Sequence, residues 1–308
     1  MNIEKNTRGL VESAIVGVLT AILIFFIHYV PVINIFVFLI AFPYIIVGKR
    51  NGIRFCNLSA VFAAILIGLL INPVMGIYVL LMGGAVASVI IATLEHGKRT
   101  RVALFAGTIA VIIALMAFLM FLNWITGIDA VAELKSAVST LVSETTELYQ
   151  SVGLDASELI AVKDNMLRLM PYMIVVSAFQ FVLLNYFVAK AILNRTGTEF
   201  GTLSKFGDFI IPKSFLYGSL IIMGIIGILG IMGLGNNDAM IANVILIFML
   251  IYVINGLAVV WHFADKHGIP KVVRVVLLIP FLFLSGGFLL GPLGFVDLVF
   301  NLRKLEVE

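Results

Sequence analysis

The sequence predicts an all-α fold: a polytopic bundle of transmembrane helices, with about 8 to 9 spans and a short C-terminal re-entrant or interfacial helix. Hydrophobic residues make up 62% of the 308 residues and charged residues only 12%, whereas soluble domains contain roughly 45–50% and about 25%. The hydrophobic residues also form long runs without Asp, Glu, Lys or Arg. Because about 20 apolar residues cross the hydrocarbon core as one helix, each run is expected to span the membrane once.

Eight runs have the length and composition of a spanning helix. The first is too long for a signal peptide and is expected to stay in the protein. The second is short and is bracketed by Pro31 and Pro43, so it is expected to be tilted, broken or partly re-entrant. A last apolar stretch, 271–300, predicts either a ninth crossing or two half-length helices that enter and return. The eight runs lie near 9–30, 32–47, 56–72, 74–94, 102–126, 170–193, 214–234 and 239–262.

Positive charges follow every second run, which indicates the side of the membrane on which these segments lie. Lys49, Arg50 and Arg54 lie between the second and third runs, and similar cationic segments follow the fourth, sixth and eighth. Because Lys and Arg are enriched in cytoplasmic loops, the N-terminus and these segments are expected to face the cytoplasm. We interpret the cations as determinants of topology, with binding of an anion or a partner protein as the alternative. Arg303 and Lys304 follow the same rule if the last segment returns as a hairpin.

The segment 127–168, between the fifth and sixth runs, is predicted to be an extracytoplasmic helical insert. It has seven acidic residues against Lys135, Lys163 and Arg168, which places it opposite the cationic segments. Two readings stay open: a lid over an outward-facing cavity, or a solvated hairpin packed on the bundle. The apolar residues of its first half recur at the spacing of an amphipathic helix. These residues are Val131, Leu134, Val138, Leu141 and Val142.

Few residues in the apolar runs suit catalysis or metal binding. The chain has one cysteine, four histidines and no HExxH motif, so we predict no catalytic residue, no metal site and no cofactor. The lack of acidic residues within most runs argues against a proton-driven pump. An intramembrane enzyme stays a third hypothesis, with His262 and Asp265 as the only nearby acid–base pair. The lipid bilayer is the expected environment, and no nucleic-acid partner is expected.

Uncharged polar residues are the other candidates within the runs. In hydrocarbon such side chains pair with neighbouring helices; if several converge with aromatic residues on a cavity, they suit an uncharged or weakly polar ligand. No ligand-binding residue is assigned from this pattern. The residues are His28, Asn34, Asn57, Asn72, Asn123, Gln180, Asn185, Asn243, Asn255 and His262.

Two ladders of small residues are spaced for close helix packing. Small residues on one face let another helix approach within a membrane, and packing inside the chain is the default reading of both ladders. The ladder in the first run predicts a helix interface, and the ladder in the seventh run predicts a thin, closely packed helix. The first consists of Ser13, Gly17 and Ala21, and the second of Gly224, Gly227, Gly230 and Gly233.

Three stretches resemble the YybS-like family of bacterial membrane proteins, a domain-of-unknown-function family best known from Firmicutes. They are VESAIVGVLTAILIFFIHYVPVINIF near the N-terminus, FPYIIVGKRNGIRF at the first cationic turn, and GPLGFVDLVFNLRK near the C-terminus. The resemblance covers most of the chain. It implies a multi-pass protein of the bacterial plasma membrane and carries no established biochemical activity.

The N-terminal half, roughly residues 9–193, is also similar to the S-components of energy-coupling factor transporters. S-components bind small molecules from outside and dock on a transmembrane coupling subunit that is driven by separate ATPases. By this resemblance Ser13, Gly17 and Ala21 form a docking surface. The expected domains are 1–193, an S-component-like bundle with the insert 127–168, and 194–308, additional transmembrane helices.

Two hypotheses follow. The first is a non-enzymatic, multi-pass membrane protein that binds a small molecule as a transporter component. The second is a structural or regulatory membrane subunit that binds no ligand and acts through helix–helix contacts.

Overall fold

The computed structural model describes residues 3–97, 99–152, 157–201, 205–232, 238–274 and 289–305. The fold is 86% helical, and the described residues contain no strand. Eight helical segments in this part of the chain are long and apolar enough to cross a membrane, which confirms the predicted polytopic bundle. These segments are Asn6–Tyr29, Val32–Asn51, Ile53–Leu70, Pro73–Glu95, Thr100–Thr126, Met170–Arg195, Lys213–Ile231 and Asp238–Lys266.

The chain forms two compact units. Unit 1 comprises Met1–Leu167 and Met173–Thr202, and unit 2 comprises Arg168–Tyr172 and Leu203–Glu308. The structure thus divides the chain after Thr202, whereas the boundary expected from the sequence lies after residue 193. The short segment 168–172 packs with unit 2.

The helices of unit 1 follow the order of the predicted runs. The regular helices are α1 (Ile3–Tyr29), α2 (Phe42–Asn51), α3 (Ile53–Leu70), α4 (Pro73–Tyr78), α5 (Val86–Glu95), α6 (Thr100–Thr126), α7 (Ala130–Ser151), α8 (Ser157–Arg168) and α9 (Met170–Arg195), whose first residues lie in unit 2. The insert therefore holds the two helices α7 and α8, and it is helical as expected.

The second span is broken, as the two prolines predict. A 3-10 helix covers Pro31–Leu39, and α2 begins at Phe42. Pro43 lies at the start of α2, where its missing N–H costs no helical hydrogen bond. Ile40 and Ala41, which join the two helices, are fully buried. The break therefore lies inside unit 1, where its free backbone groups need partners from the chain itself.

The fourth span is irregular as well. A π-helix, Val79–Ala85, lies between α4 and α5. Gly83 and Gly84 let this segment approach its neighbours: a Cβ on Gly83 would lie 2.7 Å from Cε2 of Tyr44. The same Cβ would lie 3.2 Å from the carbonyl oxygen of Ile40, at the break in the second span. The irregular parts of the two spans are thus in contact.

Unit 2 contains a short 3-10 turn (Phe206–Asp208), α10 (Lys213–Ile231), α11 (Asp238–Lys266) and α12 (Leu290–Phe300). α11 and α12 cross at Gly256 and Gly294, where a Cβ on either glycine would overlap a backbone carbonyl oxygen of the other helix. The prediction of a ninth crossing or a hairpin over 271–300 falls largely on residues 275–288, which lie outside the described residues.

The packing of α10 differs from the close packing that its glycines predict. Only Leu216 and Ser219, near its N-terminal end, are buried. Among the described residues, no atom of another helix lies within 4 Å of a Cβ placed on Gly224, Gly227 or Gly230. The expected close packing is therefore wrong for these three positions, and Gly233 lies outside the described residues.

Candidate functional site

Unit 2 contains an ion pair that is completely enclosed by protein. The side chains of Arg303 and Asp297 are both 0% exposed, and Nη2 of Arg303 lies 2.7 Å from Oδ2 of Asp297. We call these two residues, together with Asn255 and the carbonyl groups of Gly207 and Phe209, the Arg303 cluster. Charged side chains are almost never fully buried unless they are paired, so the cluster is the strongest candidate for a specialised role in unit 2.

Every N–H group of the Arg303 guanidinium has an acceptor. Nε and Nη2 donate to Oδ2 of Asp297 at 3.2 and 2.7 Å, and Nη2 also donates to Oδ1 of Asn255 at 3.1 Å. Nη1 donates to the carbonyl oxygens of Gly207 and Phe209 at 2.7 and 2.8 Å. A guanidinium has five N–H donors, and these five bonds use them all. The arrangement leaves no donor for an external anion and instead ties several segments together.

Asn255 connects the ion pair to the crossing of α11 and α12. Its Nδ2 donates to the carbonyl oxygen of Gly294 at 2.9 Å and to Oδ2 of Asp297 at 3.3 Å. The second carboxylate oxygen, Oδ1 of Asp297, has no hydrogen-bond partner among the described residues. The cluster thus joins α11, α12, the turn at 206–209 and the residues after α12.

The chain reverses after α12 so that Arg303 can reach this position. Asn301 adopts a left-handed conformation with φ 48°, which Asn tolerates better than most residues, and its N–H donates to the carbonyl oxygen of Asp297. The Asn301 side chain also exchanges two hydrogen bonds with the backbone of Leu305, at 2.8 and 2.9 Å. These bonds hold Arg303 over the end of α12.

The Arg303 cluster corrects the interpretation of Arg303 made from the sequence. Arg303 was expected only to mark a membrane side, but it is buried in an ion pair. The sequence signal for it is Asp297, an acidic residue within the apolar segment GFVDLVF, because a carboxylate in such a segment needs a cationic partner. The cationic partner lies only six residues further along the chain.

His262 and Asp265, the candidate acid–base pair of the enzyme hypothesis, each have another partner. Nδ1 of His262 lies 3.7 Å from Oδ1 of Asp208, and Oδ1 of Asp265 lies 2.6 Å from Nη2 of Arg274. The Arg274 guanidinium also lies 5.3 Å from the ring centroid of Trp261. His262 and Asp265, near the C-terminal end of α11, therefore each contact a different partner. Among the described residues, no group of three or more His, Cys, Asp or Glu side chains could hold a metal ion.

In unit 1, Asn185 closes the break in the second span. Its Oδ1 accepts hydrogen bonds from the N–H groups of Ala41 and Phe42 at 2.9 and 2.7 Å. Its Nδ2 donates to the carbonyl oxygens of Phe38 and Phe181 at 2.7 and 2.8 Å. The side chain is fully buried and supplies partners on both sides of the break, as the membrane interior requires.

The other predicted polar residues divide into bonded and exposed groups. Asn243 receives a hydrogen bond from the N–H of Tyr172 and donates to the carbonyl oxygens of Arg168 and Ala239. Asn57 accepts a hydrogen bond from Ser88, and Asn72 caps the start of α4. The remaining four are exposed, and they are His28, Asn34, Asn123 and Gln180. Each of the three buried amides, including Asn255, is thus bonded to its own unit.

The small-residue ladder of α1 faces α3. Ser13 and Ala21 are buried, and a Cβ on Gly17 would lie 2.7 Å from Cδ1 of Phe62. Oγ of Ser13 also donates to the carbonyl oxygen of Phe55 at 3.1 Å. This face therefore forms a helix interface inside unit 1. Docking of a separate coupling subunit on Ser13, Gly17 and Ala21 stays a prediction.

Comparison with known proteins identifies the family of the chain and a curated relative. Residues 18–298 match the family described as "Predicted membrane protein (DUF2232)". The chain is similar to the "Uncharacterized protein YybS" of Bacillus subtilis strain 168, with 24% identity over 317 aligned positions that cover 97% of this chain and 99% of the relative. No solved structure gives a significant match. The resemblance to the YybS-like family is confirmed, and the similarity to S-components stays a prediction. The matched region covers nearly the whole chain, which therefore belongs to the DUF2232 family of predicted membrane proteins.

Proposed function

We propose that the chain is a non-enzymatic subunit of the bacterial plasma membrane that acts through helix–helix contacts. The observation that supports this role is that the buried amides and the buried ion pair of the described residues are bonded to the chain itself. A ligand site is normally lined by a few convergent polar groups that are free to bind. Here Asn185, Asn243, Asn255 and Arg303 hold helices and turns together instead.

The proposed orientation places the N-terminus and the cationic helix ends in the cytoplasm. Arg50 and Arg54 lie at the junction of α2 and α3, where Lys and Arg favour the inner side of the membrane. Three more spans, beginning with α3, separate this junction from α7. An odd number of crossings puts α7 on the opposite, outer side.

A second candidate function is a small-molecule-binding transporter component that resembles an S-component. The contact between the irregular parts of the second and fourth spans favours it, since interrupted helices often build substrate sites in transporters and π-helical turns are frequent at functional sites. In this reading Gly83 and Ile40 mark the ligand site. Transport would then require a separate coupling subunit and ATPases that dock on Ser13, Gly17 and Ala21.

Native mass spectrometry of the chain, extracted together with its own membrane lipids, separates the two functions. For the proposed subunit we expect the protein to retain lipids in variable number and no small molecule at fixed stoichiometry, because the interior polar groups are already bonded. A small molecule bound one to one would contradict the proposal and favour the carrier.

A pair of glycine variants identifies where such a molecule binds. Gly83→Ala would press on Tyr44 at the contact of the two irregular segments, whereas a Cβ on Gly68 in α3 would lie 3.8 Å from Cα of Pro73, an ordinary distance. A carrier ligand at this contact would be lost from Gly83→Ala and kept in Gly68→Ala. An additive picked up during extraction would stay in both variants.

A further inference from the structure

The exposed face of α7 follows a heptad repeat. Its apolar and β-branched residues alternate at steps of three and four, which keeps one seam of a helix facing a partner in a left-handed coiled coil. α7 has 22 residues, so the repeat extends over about 33 Å. Counted from Val131 as position a, the d positions are Leu134, Leu141 and Leu148 and the a positions are Val131, Val138, Thr145 and Val152, of which Val152 is the cap residue directly after α7. We call these seven residues the α7 seam.

The residue types in the α7 seam select one kind of coiled coil. Every a position holds a β-branched side chain, and every d position holds Leu. In parallel coiled coils this combination favours two strands, whereas Ile at both positions or Leu at a shifts the preference to three or four. The composition of the seam therefore indicates a pair of parallel helices.

The α7 seam is open to a partner. Leu134 is 50% exposed, Leu141 and Leu148 are each 64% exposed, and Val152 is 66% exposed. No residue of α7 is classed as buried within the described structure, and Val138 is half-buried. Such a row of large apolar side chains on a helix that is not among the candidate membrane spans favours association with a matching surface.

The charges beside the α7 seam permit two identical helices to pair. In a parallel pair, each g residue meets the following e residue of the partner. Ala137 would meet Val142, and Glu144 would meet Tyr149. No like charges face each other at these positions. The acidic residues at position c lie away from the seam, so the helix can approach its own copy without repulsion there.

The short link between α6 and α7 favours a parallel arrangement of the two α7 helices. Gly127, with φ 69°, ends α6, and only residues 127–129 separate α6 from α7. Oδ1 of Asp129 then accepts hydrogen bonds from the N–H groups of Val131 and Ala132, which fixes the first turn. Because the start of α7 is tied to a spanning helix, two copies inserted with the same orientation begin their α7 helices at the same membrane surface, and α7 helices that rise from this surface run parallel.

We propose that two copies of the chain associate through a parallel, two-stranded coiled coil formed by the α7 seam of each copy. This association is independent of the proposed function, because no residue of the α7 seam belongs to the Arg303 cluster or contacts Asn185. The partner is a second copy, since the seam fits a helix of identical sequence and direction.

Disulfide cross-linking in native membranes tests this association. Identical d residues face each other in a parallel pair, so under mild oxidation we expect Leu141→Cys to form at least about fivefold more covalent dimer than Ser143→Cys at the outer f position. Cys56, the only native cysteine, is buried, so the natural chain is expected to form no covalent dimer and serves as the blank. The products are read as monomer and dimer on a non-reducing gel.

A second pair of variants is a control for local unfolding caused by a single substitution. Leu148→Cys occupies the next d position and Gln150→Cys the next f position, and they should repeat the difference. Absence of covalent dimer at both d positions would overturn the proposal. Equal cross-linking at d and f positions would also overturn it, because random collision in the membrane does not distinguish the faces of a helix.

Discussion

Arg303→Met is expected to destabilise unit 2 by about 3–5 kcal/mol, because it leaves a buried carboxylate without its cation. Asp297 would lose both hydrogen bonds from the guanidinium, while its side chain stays 0% exposed. The carbonyl oxygens of Gly207 and Phe209 would lose their donor at the same time. The measurement is the free energy of unfolding of the purified protein in a fixed detergent.

Two further variants identify the cause of this loss. Lys304→Met removes a neighbouring exposed cation and is expected to change stability by less than about 0.5 kcal/mol. The double variant Arg303→Met with Asp297→Leu removes both charges, so it should recover much of the stability that the single variant loses. An unchanged unfolding free energy for Arg303→Met would show that the ion pair does not hold unit 2 together.

Gly294→Ala is expected to separate α11 from α12. A Cβ at this position would overlap the carbonyl oxygen of Tyr252 and lie 2.7 Å from the backbone nitrogen of Gly256. Both atoms belong to the backbone, so no side-chain rotation relieves the overlap. Overpacking of a tight contact typically destabilises a protein by about 1–3 kcal/mol. Because the added Cβ meets backbone atoms, we expect Gly294→Ala to lower the free energy of unfolding by about 3 kcal/mol or more. Movement of Gly294 would also disturb its hydrogen bond with Asn255.

Gly291→Ala is the matched control for this contact. Gly291 lies on α12, and a Cβ there would be 3.6 Å from Cγ of Met249, an ordinary contact distance. Alanine has the higher helix propensity by roughly 0.5–1 kcal/mol, but a Cβ directly before Pro292 is disfavoured in a helix. The two effects oppose each other, so this variant should stay within about 1 kcal/mol of the natural chain. Equal thermal stability of the two variants would refute a close crossing at Gly294.

Composition and charge spacing were enough to predict the membrane spans. Because bilayer hydrocarbon leaves helices as the main way to satisfy backbone hydrogen bonds, a long uncharged run almost dictates its own secondary structure. Pro31 and Pro43 similarly located the break in the second span. The sequence did not identify Asn185 as the residue that closes this break, because its partners Ala41 and Phe42 are distant in sequence.

The packing of unit 2 was much harder to predict. Glycines repeated within α10 indicate close packing, yet the tight crossing uses Gly256 of α11 and Gly294 of α12. Spacing along one helix shows where another helix can approach, but only the tertiary arrangement decides which glycine is used. The burial of Arg303 is hard to predict for a related reason: three of its five hydrogen bonds go to acceptors outside its own C-terminal segment, on Asn255, Gly207 and Phe209.

Labelling of single cysteines with a membrane-impermeant maleimide tests the proposed orientation of the chain in the membrane. We predict that Ser143→Cys on α7 reacts in intact cells. Arg54→Cys at the start of α3 should react only after the membrane is permeabilised. Both positions are exposed, and the natural chain with its buried Cys56 provides the unlabelled reference. Reaction of Arg54→Cys in intact cells, with Ser143→Cys protected until the membrane is opened, would contradict this orientation.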